Sequence, residues 1–170
     1  MRTSALKNAS KTLAAGVLVA VASYAGSVAA QETHSSIVCR AGTVIGLAKT
    51  EDMVSFGLEH RGVVLAEGAN KSFDNQTQHC VGSVTITRGV SKGSGYCKNM
   101  DAATGDFVLL EWDANGKPGT GTFRYVYGTG KWKGITGSGE YQSLAPTRPI
   151  SPGTYQNCIR GKATYSVPKM

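Results

Sequence analysis

The feature that most constrains the fold is the alternation of apolar and polar residues in short segments separated by turn residues. In "SVTITRG" (83–89), Val84 and Ile86 alternate with threonines, and "TYQNCIRGKATYSV" (154–167) continues the same period of two. Such alternation with β-branched residues is typical of half-buried strands. About eight such segments follow one another at roughly ten-residue spacing, which favours a sandwich or a closed barrel. We predict an all-β fold, a small closed antiparallel barrel of about eight strands.

Glycine accounts for 22 of the 170 residues and marks the predicted turns. "SKGSG" (91–95) and Asn115-Gly116 are turn signals, the latter a strong hairpin signal. The densest cluster is "GTGKWKGITGSGEY" (128–141). It does not fit a phosphate-binding loop, because Gly134 stands one place too far for GxGxxG and no helix pattern follows. We interpret it as a corner between two barrel strands.

The longer segment "YVYGTGKWKGITGSGEY" (125–141) resembles a motif of allene-oxide-cyclase-like and dirigent-like β-barrels, and of small exported bacterial proteins with a lipocalin-like barrel. The resemblance covers about residues 120 to 143. It implies that Trp132 packs into the barrel end while Gly134, Gly137 and Gly139 form the bend. It also implies a central cavity for an apolar small molecule. Plant members cyclise an oxylipin or steer phenoxy-radical coupling, but their catalytic residues have no match in this sequence.

Residues 1–30 have the three parts of a secretory signal peptide. A basic start precedes the apolar run "LAAGVLVAVA" (13–22), and small residues end at Ala30, after which we place the cut. An uncleaved anchor over 12–30 is the alternative, since that stretch is uncharged. With cleavage, residues 31–170 form a single barrel domain without a membrane span, and the protein is periplasmic or secreted.

All four cysteines follow the predicted cut, and an even number in an oxidising compartment predicts two disulfides. Three pairings are possible. We prefer Cys39–Cys158, because barrel closure brings the first and last strands together, and Cys80–Cys97, which would lie on the two arms of a hairpin turning at 91–95. The spacings contain no CxxC or HxxxH pair, so we predict no metal site and no cofactor.

The charge of the chain argues against a nucleic-acid partner. The formal net charge is +7, from eighteen basic and eleven acidic residues. Three of the basic residues and none of the acidic ones lie within 1–30. Residues 31–170 therefore carry +4, and their basic residues are scattered rather than clustered in a patch.

Five residues are candidates for a ligand site: Glu111, Trp112, Tyr125, Tyr127 and Trp132. Glu111 shares a strand face with Phe107 and Leu109, where a carboxylate could act as a cavity acid. In "TFRYVY" (122–127), alternation places Tyr125 and Tyr127 on one face, where a buried phenol needs a hydrogen-bond partner. No catalytic residue is assigned. We expect a non-enzymatic barrel that binds a small apolar ligand or a protein partner. An isomerase or cyclase, and a periplasmic hydrolase inhibitor, are the alternatives.

Overall fold

The computed structural model describes residues 30–145 and 148–169. The predicted signal peptide lies outside this range except for its last residue. The described residues form eight strands and one turn of 3-10 helix, Gly130–Trp132. The strands are β1 (Glu32–Lys49), β2 (Met53–Glu67), β3 (Gln76–Thr87), β4 (Val90–Met100), β5 (Phe107–Gly116), β6 (Thr120–Gly128), β7 (Thr136–Ser143) and β8 (Thr154–Ser166). No helix among the described residues is long and apolar enough to cross a membrane.

The strands pair antiparallel in chain order and close into a barrel, which confirms the predicted fold class. Closure occurs between β1 and β8, whose pairing runs from Glu32 opposite Tyr165 to Thr43 opposite Thr154. Every strand thus has two neighbours, and none presents an open edge.

Both predicted disulfides are present. Cys39 and Cys158 are directly opposite each other across the β1–β8 seam, and their bridge joins residues 119 apart in sequence. Cys80 and Cys97 are opposite each other across β3 and β4, in the core, with a sequence separation of 17. The first bridge lies on the outer surface, where Cys39 is exposed.

The hairpin between β3 and β4 turns at Arg88–Gly89, not at the predicted 91–95. Both turn residues have positive φ, 49° and 79°, which suits a tight hairpin turn and a glycine at the second position. Residues 91–95 instead belong to β4. The hairpin between β5 and β6 likewise turns two residues later than Asn115-Gly116, at 117–119, where the Thr120 amide donates to the Lys117 carbonyl at 3.2 Å.

Glycines inside strands make room for a large side chain rather than for a turn. Gly82 of β3 and Gly95 of β4 are opposite each other, and Gly95 is opposite Trp112 of β5. A Cβ atom on either glycine would collide with the Trp112 indole. The two strands therefore carry no side chain at the point where the indole lies across them.

A β-bulge in β6 changes which face its tyrosines occupy. Leu109 of β5 pairs with Tyr127, and the adjacent Leu110 pairs with Tyr125, so Val126 is an extra residue. Because an extra residue reverses the alternation, Tyr125 is buried whereas Tyr127 lies outside with 57% of its surface exposed. The expectation that both tyrosines share a face is wrong for this reason.

An aromatic cluster, which we call the plug, closes one end of the barrel. Phe73, from the loop between β2 and β3, is 1% exposed. Its ring stacks on Trp132 at 4.4 Å between centroids and on Tyr125 at 5.6 Å, and meets Tyr165 edge-on at 5.1 Å. Trp132 follows β6 at the predicted corner and is also buried.

Candidate functional site

The end of the barrel opposite the plug contains a cavity of about 290 Å³, which we call the open-end cavity. It lies at the end where β5 turns into β6, and Pro118 and Gly119 of that turn line it. Its walls are mainly apolar, and its lining includes Phe56, Leu58, Val84, Ile86 and Trp112. These side chains come from inward positions of β2, β3 and β5, so the alternation of the strands creates the apolar wall.

A polar cluster lies at the base of this cavity. The Arg40 Nε donates to the Asn157 Oδ1 at 2.9 Å, and the Arg40 Nη1 is 3.2 Å from the His60 Nε2. The His60 Nδ1 is hydrogen-bonded to the Tyr155 hydroxyl. All four residues line the open-end cavity, and Arg40 also lines a smaller void of about 60 Å³ on the plug side. Arg40 and Tyr141 thus both lie between the cavity and the smaller void.

The contacts fix the tautomer of His60. A guanidinium can only donate hydrogen bonds, so the Nε2 that faces Arg40 must be the acceptor. In the neutral imidazole the proton then resides on Nδ1, which donates to the Tyr155 oxygen. The Tyr155 hydroxyl proton is consequently available to a molecule in the cavity.

Burial and neighbouring charge determine the ionisation of the cluster. His60 is 2% exposed; burial, with the Arg40 charge second, lowers its pKa to about 3. Burial raises the pKa of Tyr155 to about 12. Burial also lowers the pKa of Arg40, but an arginine stays protonated in proteins. At neutral pH the base of the cavity is therefore one positive charge surrounded by neutral groups.

The low pKa of His60 predicts a loss of stability in acid. Between pH 6.5 and about 3 the unfolded chain binds a proton at His60 that the folded chain excludes. The free energy of unfolding therefore falls with falling pH, by up to about 1.4 kcal/mol per pH unit from this residue alone. Urea unfolding of the wild type and His60→Gln at pH 6.5, 5.5 and 4.5 measures the difference. We expect a shallower pH dependence for the variant, and parallel dependences would contradict the assignment.

The structure separates the five candidate site residues. Trp112 lines the open-end cavity, and Tyr125 lines the smaller void on the plug side. Trp132 belongs to the plug and touches neither space. Glu111 lies on the outer surface, where it forms an ion pair with Arg124 and accepts a hydrogen bond from the Tyr96 hydroxyl at 3.3 Å. Neither Glu111 nor the exposed Tyr127 lines the interior.

His60 also lies beside the buried disulfide. One of its ring nitrogens and the sulfurs of Cys80 and Cys97 are within 4.8 Å of one another. Metal binding by cysteine requires a thiolate, and these two sulfurs are joined to each other. This cluster therefore offers one imidazole rather than three ligands.

The sequence-based candidates omitted Arg40 and His60, although a signal for Arg40 was present. Alternation in β8 placed Tyr155 and Ile159 on the apolar face, and Asn157 has the same parity. Pairing Cys39 with Cys158 makes Arg40 the partner of Asn157. Directly opposite residues share a face, so the preferred disulfide and the alternation together placed Arg40 inside the barrel.

Comparisons with known proteins give similar barrels but no close relative. The pterocarpan synthase dirigent protein PsPTS1 has a TM-score of 0.49 and 11% identity, over 83% of this chain and 97% of that one. The pterocarpan synthase dirigent protein GePTS1 has a TM-score of 0.48 and 11% identity, over 94% and 98%. Dirigent-like barrels are one of the groups that the segment around Trp132 resembles. No family model and no curated protein matches the chain.

Proposed function

We propose that this barrel binds a small, largely apolar molecule in the open-end cavity. The observation that carries the proposal is the cavity itself, about 290 Å³ with apolar walls above a polar base. Ligand sites in proteins are concave, mainly apolar, close to this size or larger, and contain a few polar groups that orient the ligand. Arg40, His60 and Tyr155 are such groups, and the plug closes the other end.

The arrangement at the base of the cavity favours binding over proton-transfer chemistry. An isomerase or cyclase that works by proton transfer would need a group that takes up a proton near neutral pH. His60 has both ring nitrogens engaged, by Arg40 and Tyr155, and its pKa is lowered to about 3. No carboxylate lines this cavity among the described residues. A binding role is the function that these residues support best.

Filling the cavity should abolish binding of a neutral apolar probe. Val84 lines the cavity, whereas Val81 lies on the same strand, faces outward and is 47% exposed. We expect Val84→Trp to weaken binding of N-phenyl-1-naphthylamine by about tenfold or more, because the indole would occupy the apolar space. Probe fluorescence, titrated with purified protein, measures the affinity.

Val81→Trp is the matched control, since it adds the same side chain to the opposite face of β3. It should leave the affinity for the naphthylamine unchanged. Absence of probe binding by the wild-type protein, or equal weakening in both variants, would count against a ligand site in this cavity.

We infer that the protein acts in an oxidising compartment, the periplasm or the extracellular space. Two disulfides are consistent with this location, because thiols in the cytosol are kept reduced. The predicted signal peptide supports the same inference from the sequence. Binding of a protein partner and inhibition of a hydrolase stay predictions.

A further inference from the structure

Arg40 carries a positive charge inside the barrel without a compensating carboxylate. No aspartate or glutamate lies within 4.0 Å of its guanidinium among the described residues, although five arginine or lysine side chains form ion pairs there. Its hydrogen-bond partners, Asn157 and His60, are neutral. A charge removed from water is costly unless it is paired, so this position is suited to a negative charge from outside the chain.

The guanidinium retains donors for such a partner. Asn157 occupies Nε, and His60 occupies one hydrogen of Nη1. The Nη2 atom makes no hydrogen bond to any residue in the described part of the chain, so the Nη1–Nη2 end of the fork keeps free hydrogens. Two parallel N–H groups of one guanidinium match the two oxygens of a carboxylate. The Tyr155 hydroxyl, which has its proton available, is a further donor beside the same cavity.

We propose that the natural ligand is an organic carboxylate, with its headgroup on Arg40 and its apolar body against Val84 and Trp112. This inference rests on the proposed function and specifies the chemical class of its ligand. The cavity contains the two parts that an amphipathic anion requires, a single cation with neutral donors at the base and an apolar wall toward the opening.

The charge and size of the site define the ligand further. A single guanidinium balances one negative charge, which fits a carboxylate better than a phosphate monoester, whose charge is close to −2 at neutral pH. The cavity of about 290 Å³ is close to the lower end of the range for small-molecule sites, so it suits a small ligand. A medium-chain carboxylate such as octanoate is of this size.

Competition between two isosteric probes tests the proposal. Octanoate and octanamide have the same shape, and only the former is charged at pH 7. Each is titrated against the wild-type protein with bound N-phenyl-1-naphthylamine, and probe fluorescence reports displacement. We expect octanoate to displace the naphthylamine at about tenfold lower concentration than octanamide. Arg40→Met should remove this preference, with the displacement by each probe expressed relative to the variant's own affinity for the naphthylamine.

Further outcomes separate this inference from the proposed function. Arg40→Lys keeps the charge but not the fork, so it should retain part of the preference for octanoate. It also serves as the test variant if Arg40→Met does not fold. Naphthylamine binding with equal displacement by the two probes would overturn the carboxylate proposal and leave the ligand site intact. A preference for octanoate that persists in Arg40→Met would assign the headgroup elsewhere. Absence of naphthylamine binding would overturn the proposed function itself.

Discussion

Replacing Phe73 by alanine is expected to lower the free energy of unfolding by about 3–5 kcal/mol. The ring is 1% exposed and contacts Trp132, Tyr125, Tyr165 and His34. These partners belong to different strands and to the corner between β6 and β7, so they cannot easily close over the space that the ring would leave. Denaturant unfolding, followed by circular dichroism, measures the change.

Phe73 comes from a loop, and the loop is held in place by its own polar contacts. The Asp74 carboxylate accepts the Ala66 amide at 2.8 Å, and the Asn70 side chain donates to the Thr33 carbonyl at 2.8 Å. Tyr127→Ala, which removes an aromatic ring from the outer surface, is the control and should cost less than about 1 kcal/mol. A loss for Phe73→Ala that is as small as the one expected for Tyr127→Ala would show that the plug does not stabilise the barrel.

Removing the disulfide at the seam should have an effect of similar size. In the chain-entropy account, a bridge stabilises a protein by restricting its unfolded chain, and the restriction grows with the enclosed loop. Cys39 and Cys158 are 119 residues apart, so Cys39→Ser with Cys158→Ser should cost about 5 kcal/mol. Cys39 is exposed, so the double substitution opens little core space. Urea unfolding of the oxidised proteins gives the comparison.

The disulfide between Cys80 and Cys97 is the comparison for the bridge at the seam. Cys80 and Cys97 enclose a short loop with a sequence separation of 17, and the same account gives about 3 kcal/mol for their bridge. Both are buried, so alanine rather than serine is the suitable replacement, and lost packing adds to the cost. A cost below about 2 kcal/mol for the seam pair would show that the unfolded chain is already compact across these residues.

The barrel could be predicted from the sequence because the alternation within each strand is a local pattern. Alternation along β8 and the turn residues between strands identify strands without knowledge of their partners. The disulfides then followed from closure, since the first and last strands each contain one cysteine. Turn positions were less accurate, because Gly95 of β4 makes space for Trp112 of β5, and this contact depends on pairing that the local sequence does not contain.

The site was harder to predict because alternation identifies two faces without telling which one is inside. In β5 both faces are apolar: Leu109 lies on one, and Leu110 and Trp112 lie on the other. The face with Trp112 is buried, so Glu111 points outward to Arg124. Tyr127 lies outside the barrel because of the bulge at Val126. A single extra residue cannot be recognised from the alternation of the sequence.

Closure between β1 and β8 also determines when the molecule can be completed during synthesis. The chain is made from its amino end, so the segments of β1 and β2 are complete well before Thr154–Ser166 has been polymerised. Throughout this interval one side of β1 has unsatisfied backbone donors and acceptors, which can recruit strands from other molecules. A chain that stops before β8 keeps two such sides, on β1 and β7. Only a chain that includes β8 can pair both of these sides. We therefore expect premature termination to give aggregates rather than a smaller barrel.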